Sequence, residues 1–424
     1  MVDDREPAAE PAHPATTAGA LPLRWVHARR QLFELLDKPL VFDDAQDAVY
    51  RHPAPLVIVG SAGSGKTAVT LAKLRETAGR VLYVTLSAYL AQGARGLYAA
   101  HGYENPQQEV EFLSLREFLE SIEVPPGREV TLAAFRSWVD RHRAAVRALG
   151  DMDAHSLFEE FRGVIGAHAA GPLSLADYSA LGARQSLLPP ARREAAHALF
   201  VRYRAWLEEA GLFDANLVAH AWRRKLLARP ADQREPAFDF VVVDEVQDLT
   251  PVQLALVLDT LRRPGHFLLC GDSHQIVHPN FFSWAAVKTL FWHGLAGDAA
   301  QRQELQVLQA NFRNTRAVTD LANRLLKVKQ ARFGSVDRES NFLVKASSGE
   351  PGSVTLLAAK DSAVKALDAA TRQSAQHAVI VLRDEDKAAA REQFRTPLVF
   401  SVHEAKGLEY PHVLLVNLVS SQRR

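Results

Sequence analysis

Residues Leu56-Val-Ile-Val59-Gly60-Ser61-Ala62-Gly63-Ser64-Gly65-Lys66-Thr67 decide the fold. Four apolar residues, three of them β-branched, give way to a glycine-rich loop, and a helical pattern then runs from Thr67 to Ala78 and stops at Gly79. The loop matches G-x-x-x-x-G-K-[ST], the pattern of a phosphate-binding loop. Glycines let backbone N–H groups turn toward nucleotide phosphates, and the following helix presents its positive N-terminal end. Residues Gly60, Ser61, Ala62, Gly63, Ser64 and Gly65 are therefore expected to line the phosphates. Lys66 would reach the β- and γ-phosphates, and the Thr67 hydroxyl would ligate Mg2+. A strand before the loop and a helix after it are the context the pattern demands. The cofactors expected are ATP and Mg2+.

Outward from the loop, Leu56–Val59, Val81–Leu86, Phe238–Val243 and Phe267–Cys270 are short apolar runs without polar alternation. Strands covered on both faces read this way. Their alternation with helical patterns predicts an α/β chain built on a parallel sheet with crossover helices. In Phe240-Val-Val-Val243-Asp244-Glu245 two acids end such a strand. There Asp244 can face Mg2+ across the sheet's carboxyl edge, and Glu245 is placed to polarise the attacking water.

Residues 105–237 differ in character. Leu115–Ser121, Leu132–Leu149, Ala191–Ala210 and Leu217–Ala228 carry apolar residues at helical spacing, and Ser114-Leu-Arg-Glu117 has the capping-box form. An all-helical insertion into the sheet is the economical reading. It holds 17 Lys/Arg and 18 Asp/Glu, so it is not a basic module, and Arg192-Arg193 and Arg223-Arg224-Lys225 read as solvated helix faces. Further on, Val354–Leu357, Ala378–Leu382, Leu398–Val402 and Val413–Leu418 read as strands, with helices at Ser362–Ala375 and Glu385–Phe394. The division that follows is a disordered tail over 1–20, a first α/β unit over 21–104 and 238–300 interrupted by the insertion, and a second over 301–424. The second unit stops soon after a strand and is expected to be incomplete, with further C-terminal domains or a protein partner completing it.

The chain has 424 residues, 47% apolar and 23% charged, the profile of a multidomain globular protein. Lys and Arg number 50 against 49 Asp and Glu, so no global basic field draws in nucleic acid. The single cysteine, Cys270, excludes an intramolecular disulfide framework and a cysteine-rich zinc module, and in Phe267-Leu-Leu-Cys270 it reads as a small buried hydrophobe. No apolar stretch approaches the roughly 20 residues that span a bilayer, and the acidic, Ala/Pro-rich N-terminus is no signal peptide. A soluble, cytoplasmic protein without a membrane partner is expected.

Several further motifs resemble those of the UvrD/Rep/PcrA-like helicases of superfamily one, over roughly residues 40–424. Asp244-Glu245-Val-Gln247-Asp248 resembles D-E-x-Q-D, and Gly271-Asp272-Ser-His-Gln275 resembles G-D-x-x-Q. Asn311-Phe312-Arg313-Asn314 resembles N-[YF]-R-[SN], and His403-Glu-Ala-Lys406-Gly407-Leu408-Glu409 resembles H-x-x-K-G-L-E. Gln46 resembles the glutamine that reads adenine upstream of the loop. The resemblance implies a P-loop NTPase with two RecA-like domains and an ATP cleft between them. In it Gln46 would contact the adenine edge, Phe312 would stack on its face, and Arg313 would cross to the γ-phosphate. Gly407 and Glu409 would bind nucleotide, Glu409 at the ribose, and Gln275 would sense the γ-phosphate. Outside the family, Phe312 would be a core aromatic, Arg313 a surface ion pair and Gln275 a helix cap. For single-stranded nucleic acid, with DNA favoured, the resemblance implies Thr85, Trp284 and His403, Trp284 as the stacking residue. Stacking suits a neutral protein, because it needs no net charge.

The chain departs from the family in places. Leu86-Ser87-Ala88 replaces the more usual Phe-Thr-Asn, and His278 stands where a tyrosine is typical, with Pro279–Ser283 lengthening the approach to Trp284. The interval between Arg313 and Phe400 is too short for the large regulatory domain of Rep-like enzymes. The family's closing arginine motif does not occur before Arg424. The function the resemblance implies is an ATP-dependent translocase or helicase moving 3′ to 5′ on single-stranded DNA. Its rivals are an ATPase switch that regulates a partner without unwinding and a nucleic-acid-binding fragment without turnover.

Overall fold

A computed structural model describes residues 42–150, 152–183, 185–276, 284, 287, 305–334, 342–358 and 361–418. The tail expected over 1–20 lies outside them, as do His278 and Pro279–Ser283. The strands of the first unit are β1 (Leu56–Gly60), β2 (Gly79–Thr85), β3 (Gln108–Ser114), β4 (Arg128–Glu129), β5 (Leu212–Phe213), β6 (Phe240–Val243), β7 (Phe267–Gly271) and β8 (Gln306–Leu308). Six of them form one parallel sheet in the order β3-β2-β6-β7-β1-β8, while β4 and β5 pair separately. This is the α/β architecture of a P-loop NTPase.

The pleat sorts the strand residues onto two faces. Val57, Val59, Leu82, Val84, Val241, Val243 and Leu269 enter one core, and Leu56, Ile58, Val81, Tyr83, Val242, Leu268 and Cys270 enter the other. Burial on both faces is why the runs lack polar alternation. Each aliphatic side chain so buried contributes roughly 1.5–3 kcal/mol. Two helices flank β1: α1 (Asp44–Arg51), started by a capping box between Asp43 and Gln46, and α2 (Lys66–Leu74), which opens directly from the loop. A further helix, α3 (Ala88–Ala100), follows β2 and buries Ala91, Ala94 and Tyr98.

The stretch 105–237 is not all helical. Its first element, β3, is an edge strand of the main sheet, paired with β2 from Gly79↔Gln108 to Thr85↔Ser114. Within it Glu109-Val-Glu-Phe112 alternates polar and apolar residues, as an edge strand with one wet face does. The helix α4 (Leu115–Ile122) begins with the Ser114–Glu117 capping box, and with helix Ala215–Leu227 it packs into the main core through Phe118, Leu119, Trp222 and Leu226. A separate helical core occupies only the middle of the insertion. Phe135 sits at its centre, ringed by Trp138, Phe158, Phe161 and Tyr203 with ring centroids 4.8–5.7 Å away.

Beyond the first sheet, β9 (Ala310–Asn311) pairs with β10 (Lys345–Ala346). A second parallel sheet has the order β12-β11-β13, from β11 (His377–Val381), β12 (Val399–Ser401) and β13 (His412–Leu415). Helices Asp361–Thr371 and Asp386–Gln393 accompany it, and a further helix, Arg316–Phe333, not among those expected, precedes it. Val354–Leu357, expected to be a strand, has no regular structure, and Leu356 is 98% exposed. The reason is the lack of a partner: among the described residues no strand pairs with this run. Likewise β8, from the region assigned to the second unit, completes the first sheet beside β1. No helix among the described residues is long and apolar enough to cross a membrane.

Phe135→Ala should cost about 3–5 kcal/mol, the usual range for emptying a buried aromatic site. Urea unfolding of the wild type and the variant measures it, and a loss below about 1 kcal/mol would deny the insertion a core of its own.

Candidate nucleotide site

Parallel strands bring Gly60, Thr85, Val243 and Gly271 to one edge of the sheet, so the loops after them converge. In open α/β sheets this edge is where ligands bind. The loop after β1 turns at Gly63 and Gly65, whose φ angles of 78° and 81° are left-handed. A Cβ at Gly63 would overlap Arg313, and one at Gly65 would overlap the Gln46 amide. Lys66 is buried, and its Nζ donates to the Gly60 and Ser61 carbonyls at 2.9 and 3.0 Å. The Ser64 hydroxyl is buried without a hydrogen-bond partner. An ammonium held only by loop carbonyls and an unpartnered hydroxyl in a nest of turning amides are suited to an anionic group such as a nucleotide's phosphates.

The residues expected to hold the metal also meet. Thr67 Oγ1 donates to Asp244 Oδ2 at 3.1 Å, uniting loop and acidic strand end across the intervening β7. A hydroxyl and a carboxylate make an oxygen donor set that fits Mg2+. Beside them Glu245 adopts a left-handed φ of 52°, uncommon for a residue with a side chain. Burial foremost pushes its carboxyl pKa up, with Lys66 opposing and Asp244 adding to the rise. Gln247, whose part in the site the motif alone does not show, is wholly buried; its amide nitrogen donates to Glu245, and its Oε1 accepts the Asp272 N–H at 2.9 Å. Asp272 in turn accepts Gln275 Nε2 at 2.7 Å.

The Asn311–Asn314 block lies directly on the loop. Asn311 Nδ2 donates to the Ala62 carbonyl at 2.6 Å, and the Phe312 N–H donates to the Gly63 carbonyl at 2.9 Å. Asn311 Oδ1 also accepts the Arg313 and Asn314 amides. The chain thus fixes Arg313 over Gly63, with its guanidinium paired to Glu409. Phe312 is 45% exposed, so it is a ring available at the site rather than a core aromatic. Lys406 pairs with Asp248 and donates to the Gln275 carbonyl at 3.0 Å, binding the loop after β12 to the first unit. Gly407, with φ of 82°, lies in the same loop against Leu90. Gln46 stays beside the loop, accepting the Asp43 N–H at 3.1 Å and donating to the Ser64 carbonyl at 3.0 Å.

The expected nucleic-acid residues do not form one surface. Thr85 ends β2 with a buried hydroxyl that has no partner, and His403 is exposed, its ring centroid 6.4 Å from that of His155 in the insertion. Trp284 requires a correction. It is fully buried in the main core, a cluster packed against Ile276, Leu305 and Phe342, and has no ring face to offer a base. The physical reason is area: a large apolar ring that reaches the core gains more from leaving water than an exposed position allows.

A phosphate-loop motif, a hydrogen-bonded Thr67–Asp244 pair and a half-buried Glu245 at the carboxyl edge of a parallel sheet are the parts of a P-loop nucleotide site. The chain belongs to the AAA domain family, which matches residues 45–280 and is a P-loop, helicase-like class of nucleotide hydrolases that bind ATP with Mg2+. It is also 26% identical over 264 residues to TPR and ankyrin repeat-containing protein 1 of Homo sapiens. That match covers 58% of this chain and 9% of the human protein.

Lys66→Ala should weaken nucleotide by about 1.5–3 kcal/mol, the scale of hydrogen bonds to charged groups. Titration of a fluorescent ATP analogue measures it, and equal affinities would remove Lys66 from the phosphate site. Trp284→Ala should cost about 3–5 kcal/mol of stability by thermal or urea unfolding. Unchanged stability with weakened oligonucleotide binding would return the ring to the surface role.

Proposed function

We propose that this chain is the motor core of an ATP-dependent translocase of the UvrD-like type, working on single-stranded nucleic acid, DNA foremost. One observation carries the reading: the Asn311–Asn314 block seats Arg313 over Gly63 of the phosphate loop through the Asn311–Ala62 and Phe312–Gly63 hydrogen bonds. On exchanging its Glu409 partner for nucleotide, an arginine anchored there would meet charge developing on a transferring phosphoryl group. Lys66 would exchange its two carbonyl contacts for phosphate oxygens. Thr67 and Asp244 would hold Mg2+, which neutralises phosphate charge, and Glu245 would orient the attacking water and accept its proton. The Glu245–Gln247–Asp272–Gln275 chain would relay loss of the γ-phosphate toward Lys406 and the second sheet.

The burial of Trp284 favours a second reading, an ATPase switch that hydrolyses nucleotide without following a strand. The two readings part on one measurement. Steady-state ATPase is expected to rise at least tenfold with a single-stranded oligonucleotide, and Arg313→Ala should lower the stimulated rate by a factor on the order of 10³ while analogue affinity changes little. A rate indifferent to oligonucleotide would establish the switch. Glu245→Gln should retain nucleotide and lose hydrolysis; retained turnover would assign the water to another residue.

A further inference from the structure

Asp244 accepts four hydrogen bonds. The Thr67 hydroxyl and the Tyr83 phenol donate to Oδ2 at 3.1 and 2.5 Å. The Cys270 thiol and the Glu245 N–H donate to Oδ1, each at 2.9 Å. Two of these donors already belong to the nucleotide site. The other two, Tyr83 and Cys270, have 1% and 0% of their surface exposed and no place in the chemistry described above.

Their placement follows from strand order and register. The acidic strand β6 lies between β2 and β7, with Tyr83 opposite Val242 and Val243 opposite Leu269. Residues two apart share a face, so Asp244 projects on the face of Val242, with Tyr83 on one side and Cys270, next after Leu269, on the other. Packing alone does not call for these atoms. Phenylalanine would fill the place of Tyr83 beside Phe112, whose ring centroid is 5.1 Å away, and alanine or valine would suit an apolar strand at 270. Only the hydroxyl and the sulfur reach Asp244.

We propose that Tyr83 and Cys270 are positioning residues that grip the Asp244 carboxylate from both sides and so set the affinity of the nucleotide site for its divalent cation. The proposal rests on the reading of Thr67 and Asp244 as the metal-holding pair. A carboxylate turns about two side-chain bonds, and only some of its orientations present an oxygen toward Thr67. Donors on both oxygens fix the orientation before the cation arrives. Loss of such an outer partner typically costs 10–100-fold in metal affinity.

The test uses the full chain and a fluorescent ATP analogue, titrated in EDTA and at increasing Mg2+, with ligand-free thermal unfolding alongside. Tyr83→Phe and Cys270→Ala should each raise the Mg2+ concentration giving half-maximal enhancement of nucleotide binding by about tenfold. Their affinities in EDTA should equal that of the wild type, a split that a purely structural role would not produce. Cys270→Ser, which keeps a donor, should return toward the wild-type value, and Tyr83→Phe decides the matter if Cys270→Ala does not fold. Wild-type Mg2+ dependence in Tyr83→Phe, and in Cys270→Ala where it folds, would overturn the grip while leaving the metal-holding pair intact. A wild-type chain whose nucleotide affinity ignores Mg2+ would overturn the pair, and the proposal with it.

Discussion

Six strands running in one direction impose the constraint on which everything else depends. Parallel pairing places every carboxyl strand end on one edge, and the crossover helices cover both faces. A loop, an aspartate and a glutamine far apart in the chain therefore meet without any contact of their own to bring them together. The Thr67–Asp244 hydrogen bond spans two strand positions only because β7 lies between β1 and β6 at matching height. Shift that register by one residue and the carboxylate faces the opposite core.

Around this edge the polar groups are arranged in a connected series. Glu245, Gln247, Asp272 and Gln275 are linked side chain to side chain or to backbone, and Lys406 joins the last of them to Asp248. Buried polar groups are costly unless satisfied, and these satisfy one another. The same economy gives Lys66 its two carbonyl partners, whereas the buried hydroxyls of Ser64 and Thr85 are exceptions that lack partners. Contacts outside the nucleotide site also cross the molecule: Arg136 of the insertion pairs with Glu385 at 2.8 Å, tying the helical core to the second sheet.

Much of the nucleotide site was legible in the residues because its signals are local. A phosphate loop needs glycines, a lysine and a hydroxyl within one turn, and an acid at the end of an apolar run needs only that run. The edge strand β3 was equally legible in its alternation, yet it was absorbed into the helical stretch that follows it. Trp284 and Val354–Leu357 were different. Whether an aromatic ring is a stacking platform or core filler, and whether an apolar run finds a partner edge, depend on residues distant in the chain. Cys270 shows both sides: its burial was readable from Phe267-Leu-Leu, but its hydrogen bond to Asp244 was not.

The sequence by itself determined the parallel α/β class, the phosphate loop and the acidic strand end, because each rests on spacing within a few residues and on whether side chains prefer water. Only the tertiary structure decided the strand order, the seating of Arg313 over Gly63, the burial of Trp284 and the grip of Tyr83 and Cys270 on Asp244. These depend on which strands become neighbours and in what register. Pairing of that kind is settled by the summed packing of two cores, which no single stretch of the chain encodes.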